Sequence, residues 1–426
     1  MADRFYLMET VVKYISAEII NIGDELLAGH TLNTNACSMS SGLRAKGIPV
    51  TRHTVVPDEK NAIRHALDHL LDSTTHVFIT GGLGPTGDDR TKSVVTEYFG
   101  GKLVFRQDVF DEIEAMFRER GRIMSPGNRE QALLPDNAGL IPNAKGTAKG
   151  MIFQKAGRSY YILPGVPYEM LDMLQQSILP RLAGLPHINT YELQINTFGL
   201  PESEIADKIA EHFPDIASRL DLGFYPSVRG ITIRLKGPDA DLLEQYRSGI
   251  CTLLGNAVYS LNGETLPALI VRICLERHLT LVTAESCTGG LIADMITNIP
   301  GASGMFLQGY IVYSNASKTD VLGVDPAIIE RCGAVSRETV EAMAAGAQKR
   351  SHSDISVAVS GIAGPDGGTP DKPVGTVWIS VSRNGVYHSE KLTFNRGRLK
   401  NKEYAAYAAL NRVRLLLQDT QIKGIE

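Results

Sequence analysis

The hydrophobic and polar positions in the first part of the chain alternate between strand-like and helix-like patterns. The apolar runs SAEIINIG, IPVTRHTVV and HVFIT are separated by amphipathic stretches, which predict helices over 33–46 and 58–71. Strands that alternate with helices are typical of a parallel, doubly wound sheet. We therefore expect one α/β domain over 16–182, after a short extension over 1–15.

The pattern changes after the break RLAGLPHINT. Two strand-like runs, YELQINTFG and GITIRLKG, flank a helical pattern that begins near Glu202, which predicts a small α+β connecting module over 183–260. The break SLNGET then opens a region in which strand-like and helix-like runs alternate again, with LTLVTA, QGYIVYS, DISVAVS and GTVWISVS as its strands. This region predicts a separate α/β domain over 261–426.

Length and composition support several globular domains. A chain of 426 residues is too long for one ordinary core, and its 43% apolar and 21% charged residues are typical of soluble proteins. No apolar run approaches the roughly 20 residues that span a bilayer, and the amino-terminal segment lacks a signal-peptide pattern. We therefore expect a cytoplasmic protein with no membrane partner.

Cysteine spacing and charge distribution argue against further classes of protein. The five cysteines are scattered and none has CxxC spacing, which argues against a disulfide framework and against structural zinc. The formal net charge is −4, and acidic and basic residues are interspersed. Because no basic stripe is present, we expect small-molecule ligands and no direct nucleic-acid partner.

Glycine-rich turns follow the first and third strands of the amino-terminal domain, at the sheet edge where ligands of such folds bind. The turn GGLGPTGDD, which begins at Gly81, combines backbone N–H groups that can cradle phosphate with carboxylates that can hold a hard divalent cation. Asp24 and Glu25, at the end of the first strand, could complete a metal site. Taken singly, Asp24 or Asp88 is explained equally well as a solvated turn carboxylate.

Four motifs occur in order in this domain: IINIGDELLAGHTLNTN, TGGLGPTGDDRT, NREQALLP and LPGVPYEM. They resemble the molybdopterin-binding-type domain of the competence/damage-inducible CinA family. The resemblance implies metal-dependent hydrolysis of the pyrophosphate of ADP-ribose, with Mg²⁺, Mn²⁺ or Co²⁺ as the metal. It assigns the metal to Asp24, Asp88 and Asp89, and the phosphate or nucleotide contacts to Gly82, Gly84, Thr86, Asn33, Arg129 and Glu169.

One position departs from that family pattern. Lys149, in GTAKG, stands where the family commonly has proline. The alternative is a domain that keeps the fold and binds a nucleotide without cleaving it.

The turn TAESCTGG joins the strand-like LTLV to the apolar run LIADMITNI. A helix that begins near Thr288 would put Glu285 to Thr288 at its amino terminus, where N–H groups without helical partners favour anions. Ser286 could then cap this helix or act as a nucleophile. Cys287 is the rival nucleophile, and its alternative is a small buried packing residue.

A serine nucleophile at this turn needs a general base from elsewhere in the chain. The motifs G-x-S-x-G and S-x-x-K are absent here, and His278, His352 and His388 lie outside the glycine-rich turns. Lys318, in YSNASK, is the remaining candidate, and the alternative, which spacing alone favours, is a solvated residue at a helix start. To act as a base it must have a pKa lowered from about 10.4 towards about 7 or 8.

A third turn, SGIAGPDGG, follows the strand DISVAV. Its backbone N–H groups suit a phosphate or the oxyanion of an acyl-transfer intermediate, and the alternative is a tight crossover.

Five motifs of this region occur in order: TAESCTGG, GYIVYSNASK, GAVSRETVEAMA, SGIAGPDGG and KPVGTVWISV. They resemble the carboxy-terminal domain of the CinA family, a nicotinamide-nucleotide amidohydrolase. The resemblance implies that Ser286 attacks the carboxamide carbon of nicotinamide mononucleotide, Lys318 takes its proton and ammonia leaves, with no cofactor. It gives Tyr313 an orienting or relay role and assigns substrate contacts to Thr288, Gly289, Gly290, Ser360, Gly361, Ala363, Gly364 and Arg398.

The motif RGRLKNK departs from the family pattern, which has two arginines. Arg398 falls at the first of two family arginines, whereas Lys402 stands at the second. Lysine keeps the charge but lacks the bidentate fork of arginine.

The resemblance thus implies a bifunctional enzyme that hydrolyses nicotinamide mononucleotide and, in its amino-terminal domain, ADP-ribose. A homodimer is the expected assembly. One alternative is a pterin- or molybdenum-cofactor-related nucleotide-binding protein. The other is a non-enzymatic regulator related to competence.

Overall fold

The computed structural model describes residues 15–84, 89–124, 126–183 and 191–422. It divides into two compact units, Met1–Asn189 and Thr190–Glu426. Among the described residues, none of the helices combines the length and the apolar character that a membrane span requires. Of the predicted extension over 1–15, residues 1–14 lie outside the described residues.

The first unit begins with a strand and alternates helices and strands. In chain order its elements are β1 (Ala17–Ile22), α1 (Asp24–Leu27), α2 (Thr34–Arg44), β2 (Val50–Val56), α3 (Lys60–Asp68), β3 (His76–Thr80), α4 (Thr91–Tyr98), β4 (Leu103–Phe105), α5 (Gln107–Glu119), a 3₁₀ helix (Pro126–Ala132), β5 (Leu133–Pro135), β6 (Gly139–Ile141), β7 (Gly150–Lys155), β8 (Arg158–Leu163), α6 (Pro167–Met173), a π-helical turn (Leu174–Ile178) and α7 (Leu179–Leu182).

The main sheet of this unit has the strand order β2-β1-β3-β8-β7-β6. Strands β2, β1, β3 and β8 are parallel, as predicted, whereas β7 runs antiparallel to its neighbours β8 and β6. The reversal comes from a two-residue hairpin turn between β7 and β8, in which Ala156 and Gly157 have φ of 51° and 73°. Such left-handed turns match the twist of hairpin strands. The predicted α/β class is confirmed, with a mixed sheet in place of a purely parallel one.

Both faces of this sheet are covered, which explains the almost continuous apolar strands. Ile19 of β1 packs with Met39 of α2 and Met170 of α6 on one face. The next residue, Ile20, packs with Ile63 of α3 on the other face. From β1 the chain passes to β2 on one side of β1, and it then crosses to β3 on the other side of β1. The topological switch point therefore lies between β1 and β3.

The second unit contains the small module and the carboxy-terminal domain. Its elements are β9 (Tyr191–Thr197), α8 (Glu202–His212), α9 (Ile216–Arg219), β10 (Asp221–Ser227), β11 (Gly230–Gly237), α10 (Ala240–Leu254), a 3₁₀ helix (Gly255–Ala257), β12 (Val258–Ser260), α11 (Leu266–Glu276), β13 (Leu281–Glu285), α12 (Leu291–Thr297), a 3₁₀ helix (Ala302–Gly304), β14 (Phe306–Ile311), α13 (Asn315–Leu322), α14 (Pro326–Cys332), α15 (Arg337–Ser351), β15 (Ile355–Gly361), β16 (Thr376–Arg383), β17 (Val386–Thr393) and α16 (Arg398–Ile422).

The small module is an antiparallel sheet with the strand order β10-β11-β9-β12, covered by α8 and α10. This is the α+β arrangement that the sequence predicts. Arg414 of α16 ties the end of the module to the carboxy-terminal domain, because its buried guanidinium donates to the carbonyl oxygens of Asn256 and Val258 at 2.7 and 3.1 Å.

The carboxy-terminal domain is built on a sheet with the strand order β14-β13-β15-β16-β17. Strands β14, β13 and β15 are parallel, β16 runs antiparallel to β15, and β17 runs antiparallel to β16. Helices α11, α12 and α16 pack on one face, and α13, α14 and α15 on the other. The chain crosses from β14 past β13 to β15, so the switch point lies between β13 and β15.

Candidate functional site

The turn after β13 presents Ser286 at this switch point. The backbone N–H of Ser286 donates to the carbonyl of Val359 in β15 at 2.9 Å, which holds the turn against the neighbouring strand. Gly289 and Gly290 then adopt φ of 64° and 93°, a left-handed conformation that an α-helix does not contain. The following helix therefore begins only at Leu291, and the predicted start near Thr288 is wrong.

Glu285, the last residue of β13, caps this helix. Its buried carboxylate accepts from the N–H groups of Gly290, Ile292 and Ala293 at 3.0, 3.1 and 2.9 Å. A serine that capped this helix would have accepted hydrogen bonds from these backbone N–H groups. Ser286 is therefore not the helix cap. This role of Glu285 was not predicted, although a carboxylate just before a helix start is a known signal in a sequence.

Lys318 lies next to Ser286 in the interior of the domain. Its Nζ atom is 3.1 Å from Ser286 Oγ, and it donates to the carbonyl oxygens of Val312 and Tyr313 at 3.0 and 3.2 Å. Lys318 is 1% exposed and Ser286 is 6% exposed. The alternative that Lys318 is a solvated residue at a helix start is therefore wrong.

Burial determines the chemistry of this pair. Desolvation lowers the pKa of Lys318 from its usual value, because an ammonium ion loses hydration in the interior. A neutral amine has two N–H groups and one lone pair. In that neutral form, the carbonyls of Val312 and Tyr313, which can only accept, would take the two N–H groups and leave the lone pair for the hydroxyl of Ser286. This is the arrangement of a nucleophile and its general base.

Cys287 points into the hydrophobic core instead. Burial raises the pKa of its thiol to about 12, so a thiolate is disfavoured. A Cβ atom placed on Gly361 would lie 3.1 Å from Cys287 Sγ and 2.7 Å from Val377 Cγ2, which shows how closely the thiol packs against β15 and β16. The environment is that of a packing residue.

Tyr313 and Arg398 meet on the exposed side of the site. Tyr313 is 62% exposed, and its hydroxyl oxygen accepts a hydrogen bond from Arg398 Nη2 at 3.1 Å. Nη1 of Arg398 donates to the carbonyl of Gly364 at 2.6 Å. The main chain of Tyr313 thus orients Lys318, while its hydroxyl pairs with a cation that also contacts the turn after β15.

The turn after β15 is anchored by its neighbours. Ser360 is buried and its hydroxyl donates to the carbonyl of Ala334 at 2.7 Å. The carbonyl of Ala363 accepts from the side-chain amide of Asn401, in α16, at 3.0 Å. Sequence reasoning missed Asn401, which has no motif of its own and is recognised only by this contact.

The predicted residue Thr288 and the unassigned Lys402 lie at the turn of Ser286. Thr288 is fully buried, and in the described part of the chain its hydroxyl has no hydrogen-bond partner. Lys402 extends from α16 towards Gly289, so that its Nζ lies 3.7 Å from the position of a Cβ atom on that glycine. The structure therefore brings two cationic side chains, Arg398 and Lys402, to the turns that flank Ser286.

In the amino-terminal unit, Gly82 and Gly84 of the turn after β3 lie close to carboxylates. A Cβ atom on Gly82 would lie 2.9 Å from Asp58 Oδ1, and one on Gly84 would overlap the carboxylate of Asp89. Burial raises the pKa of Asp58, and the charges of Asp24, Glu25 and Asp89 add to this effect. Asp58 was missed by the sequence analysis, although its position just after β2 at the same sheet edge was a usable signal.

The metal prediction stays a prediction. Among the described residues, no three His, Cys, Asp or Glu side chains converge as a ligand set. Thr86 and Asp88 lie outside the described residues.

Three other predicted residues make local structural contacts. Asn33 caps α2, because its side chain accepts from the N–H of Ala36 at 3.1 Å. The guanidinium of Arg129 stacks over Phe105 at 4.6 Å. The carboxylate of Glu169 is buried and accepts from Asn143 Nδ2 at 2.7 Å, which fastens the loop before β7. Lys149, which stands in that loop where the family commonly has proline, forms a close ion pair with Glu112 of α5.

Comparison with known families divides the chain into three parts. Residues 18–184 match the family described as "Probable molybdopterin binding domain". Residues 193–260 match "Damage-inducible protein CinA KH domain", and residues 263–417 match "CinA C-terminal domain".

Full-length relatives and a solved structure resemble the chain as well. A "Putative competence-damage inducible protein" from Caldicellulosiruptor saccharolyticus is 40% identical over 93% of this chain and 98% of its own length. A "CinA-like protein" from Chlorobaculum tepidum is 39% identical over 96% of this chain and its full length. The crystal structure of a competence/damage-inducible protein from Agrobacterium tumefaciens is 39% identical, covering 36% of this chain and 93% of its own, with a TM-score of 0.35.

Proposed function

Because the chain belongs to the CinA family, we propose that its carboxy-terminal domain hydrolyses the carboxamide of nicotinamide mononucleotide to nicotinate mononucleotide and ammonia. The observation that carries the proposal is the 3.1 Å contact between Lys318 Nζ and Ser286 Oγ inside the domain. Glu285 caps the neighbouring helix, which leaves the hydroxyl of Ser286 for chemistry.

The proposed reaction proceeds through an acyl-enzyme. The neutral amine of Lys318 takes the hydroxyl proton as Ser286 Oγ attacks the carboxamide carbon. The same proton then passes to the amide nitrogen, the C–N bond breaks and ammonia leaves. Lys318 next deprotonates a water molecule, whose oxygen attacks the ester carbon. Breaking the ester bond returns the proton to Ser286 and releases nicotinate mononucleotide.

The phosphate of the substrate requires positive charge beside the turn. Arg398 and Lys402 supply it in this proposal, because both extend from the start of α16 towards the turns that flank Ser286. Arg398 contacts Gly364 and Tyr313 through separate nitrogens, which fixes the orientation of its guanidinium. Lys402 acts as a point charge near Gly289.

The test of this function is the release of ammonia from nicotinamide mononucleotide by the whole protein, with and without EDTA. We expect one nicotinate mononucleotide for each ammonia, at the same rate in EDTA, since the proposed nucleophile and base are protein groups. The absence of ammonia release would refute the substrate assignment, and loss of activity in EDTA would refute the metal-free mechanism.

The thiol next to Ser286 should be dispensable for the reaction. We expect Cys287→Ala to keep ammonia release within about threefold of the wild type, because a thiol with a pKa of about 12 is almost wholly protonated at pH 7 to 8. Iodoacetamide should likewise leave the rate of the native protein unchanged. A folded Cys287→Ala protein that loses several orders of magnitude in rate would instead make the thiol the nucleophile.

A second function is proposed for the amino-terminal domain: metal-dependent cleavage of the pyrophosphate of ADP-ribose. The favouring observation is that Asp58 lies beside Gly82 and Asp89 beside Gly84, and that the charges of Asp24, Glu25 and Asp89 act on Asp58. Carboxylate oxygens are the ligands that a hard divalent cation prefers, and Asp58 Oδ1 is buried with no hydrogen-bond partner in the described part of the chain. When bound, the cation would neutralise charge on the pyrophosphate.

Removing the charge of Asp58 should separate the two functions. With saturating Mg²⁺, we expect Asp58→Asn to lower AMP release from ADP-ribose by about 100-fold or more, while ammonia release stays unchanged. Glu59→Gln, at the neighbouring exposed carboxylate, is the matched control and should keep both rates. Equal ADP-ribose cleavage by both variants would remove Asp58 from the proposed metal site, and tighter binding of a pterin than of ADP-ribose would favour the cofactor-related alternative.

A further inference from the structure

Asn401, on the first turn of α16, joins two loops beside the candidate active site. It is 1% exposed, and its Nδ2 donates to the carbonyl of Ala363, in the turn after β15, at 3.0 Å. Its Oδ1 accepts from the backbone N–H of Arg396, in the loop between β17 and α16, also at 3.0 Å. One buried side chain thus fastens the loop that precedes α16 to a turn that flanks Ser286.

These two contacts require a carboxamide. The carbonyl of Ala363 can only accept and the N–H of Arg396 can only donate, so the side chain between them must present one donor and one acceptor. Leucine offers neither, and an ionised aspartate offers only acceptors. Because both backbone groups belong to loops next to the site, the contacts of Asn401 determine how these loops lie relative to each other.

The side chain of Arg398 spans the same two loops. Arg398 is the first residue of α16, and its Nη1 donates to the carbonyl of Gly364 at 2.6 Å. Arg396 lies two residues before Arg398, and Ala363 lies one residue before Gly364. Asn401 therefore holds the main chain at both ends of the contact that orients the guanidinium.

We infer that Asn401 is a positioning residue, which fixes Arg398 against the turn after β15 and thereby sets the preference of the site for a phosphorylated substrate. The inference rests on the function proposed for the carboxy-terminal domain, in which Arg398 lies beside the phosphate. Arginine binds phosphate through N–H groups in a fixed planar fork, so a small displacement of the guanidinium weakens the hydrogen bonds.

The catalytic pair is held by other contacts. The N–H of Ser286 is bonded to Val359 of β15, and Nζ of Lys318 is bonded to two backbone carbonyls at the end of β14. The side chain of Asn401 takes part in neither contact. Replacing Asn401 should therefore weaken recognition of the phosphate more than it slows the chemical steps at Ser286.

The test compares nicotinamide mononucleotide with nicotinamide riboside, which lacks only the phosphate. We expect the kcat/KM of the wild type to be at least about 100-fold higher for the nucleotide. In Asn401→Leu this ratio should fall about 10-fold or more through a higher KM for the nucleotide, while kcat falls by no more than about threefold.

Asn411→Leu is the matched control. Asn411 is also buried in α16, about 15 Å further along the helix, where its Oδ1 accepts from Arg414 Nε at 2.9 Å. The same substitution there removes a buried carboxamide without touching either loop. It should keep the wild-type ratio of the two substrates even where it lowers the melting temperature.

Direct binding separates this inference from the proposed function. Nicotinate mononucleotide is titrated calorimetrically, in EDTA, into the whole wild-type protein, Asn401→Leu and Arg398→Met. The binding that Arg398→Met removes belongs to this site. We expect Asn401→Leu to weaken that binding about 10-fold, whether or not the wild type releases ammonia.

A wild type that releases no ammonia, with the binding difference intact, would refute the proposed function and leave the role of Asn401 standing. Equal affinity of the wild type and Asn401→Leu for nicotinate mononucleotide would overturn the inference, and so would an unchanged substrate ratio or an equal loss in Asn411→Leu. If Asn401→Leu does not fold, Asn401→Ala provides the same comparison, because alanine adds no bulk and favours the helix.

Discussion

Ser286→Ala is expected to lower ammonia release from nicotinamide mononucleotide by about 10⁴-fold or more. The hydroxyl of Ser286 is the atom that Lys318 Nζ approaches to 3.1 Å, and alanine leaves no atom that can form the acyl-enzyme. Since the helix after the turn is capped by Glu285, the loss of the hydroxyl should not unfold that helix. The melting temperature should therefore stay close to that of the wild type.

The measurement is a steady-state ammonia assay, together with mass spectrometry of an acid-quenched reaction. The wild type should carry an acyl adduct on the peptide that contains Ser286, and Ser286→Ala should carry none. Ser389→Ala, which removes a hydroxyl from the edge strand β17, is the matched control and should keep the wild-type rate. Ser286→Ala activity within tenfold of the wild type would return Ser286 to a structural role.

Lys318→Met should lower the same rate by about 10³-fold or more while making the fold no less stable. The sign of the expected change in stability follows from the lowered pKa of Lys318. Between that lowered value and the usual value of about 10.4, the unfolded chain binds a proton that the native protein does not. Stability of the wild type therefore rises with pH across this window, and Lys318→Met should lack that contribution to the slope.

The pH profile of activity gives the corresponding kinetic test. Only the neutral amine can take the proton of Ser286, so the rate should rise with pH and level off at the lowered pKa of Lys318, below about 10.4. Lys318→Arg is the informative second variant, because arginine keeps the charge and does not lose its proton in this range. Wild-type rates in Lys318→Arg would contradict the role of Lys318 as a base.

Much of the architecture follows from local sequence patterns. Alternating apolar and amphipathic runs determined the order of strands and helices, because side-chain periodicity is a local property. The glycines of TAESCTGG and GGLGPTGDD likewise marked turns at strand ends. The same patterns misplaced the start of α12, because they did not show that Gly289 and Gly290 are both left-handed. They also did not predict that β7 returns as a hairpin with β8.

The chemistry of the candidate sites depended on contacts between distant parts of the chain. Sequence alone placed Ser286 after a strand and made Lys318 a candidate base, but their 3.1 Å contact spans 32 residues and needs β13 beside β14. Burial, which lowers the pKa of Lys318 and raises that of Cys287, is a sum over neighbours from many elements. Local sequence therefore determined which chemical groups are present and at which turn they lie. Only the tertiary structure decided which of these groups are desolvated and which of them are in contact.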